Sequence, residues 1–175
     1  MKTAFPSIAS LLALAILASP AGAAGEGEAK EQQELAAALR GARVPLDRGV
    51  SVASNRGRKA ISARFELEKG QLQLSIYTVS GEAFSEVIVN HGSGKIASVE
   101  AITSGEDLAA AKAQGQAMAK AKRSLVTAIG DALKENPGYR AVSAVPRLAE
   151  GRPEAEVALL KGTEWKTARV KLDGK

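Results

Sequence analysis

His91 is the single imidazole of the chain, and it stands in the Gly-rich run His91-Gly92-Ser93-Gly94-Lys95. A general base needs a partner within hydrogen-bond reach, and no motif in the sequence supplies one. The same run looks like a phosphate loop, but the G-x-x-x-x-G-K-[ST] spacing fails because Val89 and Ile96 occupy two of the required positions. Glu66 and Glu68 lie two residues apart, as do Glu154 and Glu156. On a strand each pair shares one face, where two carboxylates can do acid–base work or hold a hard cation. Alternation of polar and apolar residues already explains both pairs as a solvated sheet face. The absence of Cys removes thiolate metal sites, disulfides and Cys nucleophiles, and one His cannot make a two-imidazole site. The expectation is therefore no catalytic set, no cofactor and no metal. A carboxylate-only hydrolase and a binder of cations or envelope polymers stand as the alternatives to a protein-binding module.

The 175 residues carry 24 Lys and Arg against 19 Asp and Glu. Two basic clusters, Arg56/Arg58/Lys59 and Lys120/Lys122/Arg123, sit among Gly, Asn and Ala without interleaved aromatics. They read as solvated surface, able to attract an acidic partner or anionic headgroups. Aromatic residues make up 3% of the chain, too few for a stacking platform on single-stranded nucleic acid. Nucleic acid is not an expected partner.

Lys2, the apolar run 8–18, the breakers Ser19-Pro20 and the small residues Ala21-Gly22-Ala23 form a secretory signal pattern. Cleavage is expected to leave Ala24 first, and the run is shorter than the ~20 residues that span a bilayer. No later stretch is long and apolar enough to cross a membrane. The expected location is periplasmic or secreted, with the oligomeric state left open.

These residues must be positioned by a small set of elements, and the chain repeats itself. Residues 49–94 written above 130–175 give ten identical pairs out of 46 without a gap. Four are glycines: Gly49/Gly130, Gly57/Gly138, Gly70/Gly151 and Gly81/Gly162. Gly accepts the positive φ that turns and helix ends demand. Leu46, Val50 and Ala53 form a helical stripe, and Ile61-Ala63-Phe65-Leu67 alternates with Ser62-Arg64-Glu66-Glu68 as a strand. Leu72-Leu74-Ile76 marks a second strand, residues 82–90 a third and residues 95–102 a fourth. Leu125, Ile129 and Leu133 start the second copy, which continues through strands beginning at Val142, Ala155 and Trp165. Pro146 inside the first of these argues for an edge strand or a bulge. Phe84 and Trp165 align and read as equivalent core positions; Tyr77, out of phase with Ile76, reads as a surface contact or as partly buried. Residues 106–135 read as one long Ala-rich helix or two abutting ones.

The expected fold is α+β, a tandem repeat of helix plus antiparallel β-meander joined by the Ala-rich helix. Residues 1–23 are the signal, 24–43 a helical or flexible lead, 44–102 the first unit, 103–122 a helical linker and 123–175 the second unit. Its last strand, ending the chain without a fourth, is the expected partner-binding edge, with Lys166, Thr167, Arg169 and Lys171 as contacts.

A helix followed by a meander resembles the PepSY domain. Ser75-Ile76-Tyr77-Thr78-Val79 is similar to that family's Tyr-x-Val pattern, and Asn90-His91-Gly92-Ser93-Gly94-Lys95 to its Asp-x-x-Thr-Gly turn. Asn90 stands for Asp and Ser93 for Thr. In the second unit only Val170-Lys171-Leu172-Asp173-Gly174 remains of it. The resemblance implies an exported, non-catalytic protein that binds or restrains a peptidase, and it implies no catalytic residues.

Overall fold

The computed structural model describes residues 24–55 and 57–174. The signal pattern and Arg56 lie outside the described residues. The fold is α+β: helices α1 (Ala24–Ala38), α2 (Leu46–Ala53), α3 (Gly105–Lys120) and α4 (Leu125–Glu135) pack on one antiparallel sheet. Its strands are β1 (Lys59–Glu68), β2 (Gln71–Ser80), β3 (Ala83–Val89), β4 (Ile96–Ile102), β5 (Arg140–Ala149), β6 (Arg152–Lys161) and β7 (Glu164–Lys171). A 3-10 turn, Leu39–Gly41, prolongs α1.

The strand order is β4-β3-β2-β1-β5-β6-β7, so the sheet grows outwards from a central β1–β5 contact. That contact is short, pairing Ala63 with Ala144 and Arg64 with Ser143. Ala63 and Ala144 are 81 apart, and they face each other directly. The register breaks between Ala60 and Ser62 on β1 and between Ala141 and Ser143 on β5, again at positions 81 apart. Each bulge bends its strand away from the partner, which is why the central ladder is so brief. Pro146 therefore needs no sheet edge. It lies on a central strand, paired with Ala155 of β6 and beyond the two residue pairs of the β1 ladder.

Lys69 and Gly70 both have positive φ, 51° and 77°, and Glu150 and Gly151 match them at 50° and 78°. Two left-handed residues in succession make the hairpin turn whose twist suits flanking strands. The β1–β2 and β5–β6 hairpins thus share one turn chemistry.

The helices depart from the ungapped sequence alignment. Leu46, Gly49, Val50 and Ala53 are buried on α2; Leu125, Ala128, Ile129 and Ala132 are buried on α4. These sets are offset by 79 residues. Gly49 and Ala128 hold the same place in the two buried sets, and Gly130, the sequence match of Gly49, is exposed. A built Cβ on Gly49 would sit 2.6 Å from Leu74 Cδ2, whereas one on Gly130 meets nothing within 4 Å. Close helix–sheet approach requires the first glycine only.

Residues 105–135 form two helices broken at 121–124. Ala121 turns extended, and Ser124 caps α4 by accepting the Thr127 N–H at 3.1 Å. The N–H groups of Lys122 and Arg123 donate to the Leu172 carbonyl at 2.8 and 3.1 Å. The connection before α2 is built alike, with Arg43 and Val44 donating to the His91 carbonyl, both at 2.9 Å. His91 and Leu172 are also 81 apart. Each connection carries the chain from one sheet face to the other, so α2 and α4 pack together on one face and α3 crosses the opposite one.

The core runs through both faces of the central strands. Leu74, Ile76, Val87, Val157 and Leu159 are fully buried beneath α2 and α4. On the other face, α3 covers Phe84 and Tyr77, and α1 covers Trp165. Phe84 and Trp165 are partly buried against the core.

Candidate functional site

Three regions gather the polar side chains singled out by sequence, and the first is β7. It is one of the two outermost strands of the sheet among the described residues. Lys166, Thr167, Arg169 and Lys171 are all exposed there. Pairing with β6 separates their roles. Lys166 stands opposite Leu159 on the face that holds α4; Thr167, Arg169 and Lys171 stand opposite Ala158, Glu156 and Glu154 on the other. Arg169 Nε lies 3.2 Å from Glu156 Oε1, so this cation is turned along the sheet. Arg147 continues the row, 2.6 Å from Glu154 and 3.1 Å from Glu156. The carboxylate pair expected as a solvated face is thus a charge ladder. Arg123 donates to the Lys171 carbonyl at 3.2 Å and closes the C-terminal end of the edge. Lys166, Thr167 and Lys171 remain as its outward contacts.

The second region was not legible as a unit from sequence. Register brings Arg64, Glu66, Ser75, Tyr77 and Glu86 onto one face, and Asp107 of α3 closes over them. Arg64 Nε is 3.2 Å from Glu66, and its guanidinium lies 5.2 Å from the Tyr77 ring centroid. The Tyr77 hydroxyl donates to Asp107 at 2.7 Å, and the Ser75 hydroxyl donates to Glu86. Tyr77 is 2% exposed, which settles its position as buried. Burial pushes the Glu66 carboxyl above its ordinary value against the pull of Arg64. Burial does the same to Glu86 against the Ser75 hydrogen bond. Burial, with the bond to Asp107, holds the Tyr77 phenol far above its usual range, so it stays a donor. The cluster fixes α3 to the sheet through satisfied polar pairs. The alternation put Arg64 and Glu66 on one face, but only cross-strand register and α3 supply the rest.

The third region is the loop around His91. Asn90 Oδ1 accepts from the N–H groups of Gly92 and Ser93 at 3.0 and 2.8 Å, and from the Ser93 hydroxyl at 3.1 Å. Gly94 N–H returns to the Asn90 carbonyl at 2.8 Å with φ 72°. This is a side-chain-stapled turn. His91 is half-buried, and its Nδ1 is enclosed without a hydrogen-bond partner among the described residues.

The basic clusters are less free than composition implies. Arg58 Nε donates to the Ala53 carbonyl at 3.2 Å, capping α2. Lys59 Nζ donates to the Met118 carbonyl of α3 at 3.0 Å, and Arg140 Nη1 donates to the Leu39 carbonyl at 2.6 Å. Each cation sits at a helix C-terminal end, where it complements orphan carbonyls. A cavity of about 240 Å³ lies beside the first pair, lined by Val50, Lys59, Met118 and Leu125 among others.

Among the described residues no group of three or more acidic or His side chains could hold a metal ion, and no helix is long and apolar enough to cross a membrane. No family model and no curated sequence matches the chain, so membership of the PepSY family is not shown. A crystal structure of "a putative lipoprotein" from Clostridium difficile 630 is similar, at 9% identity and a TM-score of 0.43, covering 76% of this chain and 89% of that one.

Proposed function

We propose that the protein is an exported, non-catalytic binding module that adds an extended segment of another exported protein to the β7 edge of its sheet. The reading takes the chain as two copies of one helix–helix–three-strand unit, with α1 and α3 as equivalent elements. It is supported by the shared element order, the facing Ala63 and Ala144, and the crossed cations Lys59 and Arg140, which are 81 apart. Export rests on the signal pattern of residues 1–23.

The observation that carries the binding role is the placement of β7 at the sheet's margin with Lys166, Thr167 and Lys171 exposed along it. An edge strand offers unpaired backbone donors and acceptors, and lysines there deter self-pairing. The same lysines favour an acidic partner segment. Backbone pairing supplies affinity with tolerance of partner sequence. The PepSY resemblance implies a peptidase as that partner.

The test is amide hydrogen exchange on the processed protein, alone and with a protein captured from its own secretome. Protection that grows at Glu164–Val170 on binding supports the reading. A complex that leaves those amides unchanged overturns the edge mode. A hydrolytic activity lost on Glu66→Gln or Glu154→Gln overturns the non-catalytic one.

A further inference from the structure

The cavity of about 240 Å³ beside Lys59 has two unlike ends. Its floor is apolar. Val50 of α2, Ala60 of β1, Met118 of α3 and Leu125 of α4 line it, and none of them is more than 5% exposed. Elements from both halves of the chain thus meet there without filling the space. Its mouth is cationic. Arg58, half-buried, and Lys59, exposed, also line it. Among the described residues no acidic side chain does.

Both cations have donors to spare. Arg58 gives its Nε–H to the Ala53 carbonyl, and Lys59 gives one N–H to the Met118 carbonyl. Each group carries further donors beyond that one. Among the described residues neither cation makes an ion pair with a carboxylate. Arg140, 81 residues beyond Lys59, lies differently: its guanidinium sits 5.6 Å from the Phe65 ring centroid. An aromatic ring fills the space under Arg140, whereas the space beside Lys59 stays open. Apolar walls facing a void forfeit dispersion contacts, and cations without carboxylates raise the local concentration of anions. A small amphiphilic anion answers both conditions.

We propose that this cavity binds a medium-chain carboxylate, with its apolar tail against Val50, Ala60, Met118 and Leu125 and its head at Arg58 and Lys59. An apolar cavity of ~150 Å³ takes benzene, so one of about 240 Å³ suits a chain of about eight carbons. Burial of the tail supplies most of the affinity. Charge-assisted hydrogen bonds from the two cations fix the head and select an anion over a neutral amphiphile. This inference stands apart from the β7 reading, since no residue of β7 lines the cavity and no other protein is needed.

The test is a chemical-shift titration of the processed protein with butanoate, hexanoate, octanoate and dodecanoate, and with octan-1-ol as the uncharged tail. Octanoate is expected to shift the amides of Val50, Ala60, Met118 and Leu125 saturably. Affinity is expected to rise about threefold per methylene up to octanoate and to level off beyond it. Octan-1-ol is expected to bind at least ~tenfold more weakly than octanoate. The double variant Arg58→Gln/Lys59→Gln, with its fold checked by circular dichroism, is expected to bring octanoate down to the level of octan-1-ol. No saturable shift of these amides with octanoate overturns the proposal. So does octan-1-ol that binds as tightly as octanoate. An affinity that climbs through dodecanoate without levelling marks adsorption on the surface and overturns it too, as does a folded double variant that binds octanoate like wild type. Should the double variant not fold, the wild-type series decides alone.

Discussion

Arg64 is the residue on which the polar cluster turns. It holds Glu66 and lies over Tyr77, while Glu86 and Asp107 add further negative charge nearby. Arg64→Ala leaves Glu66 largely buried without its cation and is expected to cost ~1–3 kcal/mol at neutral pH. The loss should narrow on acidification, because Glu66, already raised by burial, takes up a proton and no longer needs the partner. Chemical denaturation across pH checks this. Glu86 gives the complementary sign. Its folded value is raised, so the folded state holds the proton more tightly, and stability falls as pH rises through that value. Glu86→Gln mimics the protonated form and still accepts from Ser75. The variant is expected to be more stable than wild type at neutral pH, with the advantage vanishing below the ordinary carboxylate value. A thermal melt series at both pH extremes reads it. Of this cluster the sequence displayed Arg64, Glu66 and Tyr77 through strand alternation. Glu86 and Asp107 were hidden, because their approach depends on register and on how α3 crosses the sheet.

The elements were read best where period and turn chemistry agree. Alternation over Ile61 to Leu67 and the Lys69-Gly70 turn made the β1–β2 hairpin visible, and Glu150-Gly151 did so for its counterpart. The buried stripes of α2 and α4 are offset by 79 residues, whereas the identity of Gly49 and Gly130 suggested 81. What holds the links between α1 and α2 and between α3 and α4 was not legible, because its cause is tertiary: each bonds to a carbonyl just past the end of a distant strand. The two glycines should separate in an experiment. Gly49→Ala forces a methyl against Leu74 and is expected to destabilise by ~1–3 kcal/mol. Gly130→Ala adds a methyl in open space within a helix and should stabilise by up to ~1 kcal/mol. Equal effects at the two positions in equilibrium unfolding would contradict the offset of 79.

At the scale of the molecule, the α+β class and the meanders were legible, but the joining of all strands into one sheet was not. What decided it is a ladder of two residue pairs between bulges, a contact too brief to leave a sequence signal. The resulting sheet has two unlike margins: β4, uncharged apart from Glu100 and apolar, and β7, bearing Lys166 and Lys171. The account assigns capture of an acidic extended segment to the second. Its central claim, binding at β7, is tested most directly by partner capture with the charge-reversed variant Lys166→Glu/Lys171→Glu beside wild type. Both lysines are exposed, so the fold is expected to persist. The account predicts that the partner retained by wild type is lost by the variant, and that Val99→Lys on the β4 margin retains it. Equal retention by wild type and the β7 variant would contradict the account.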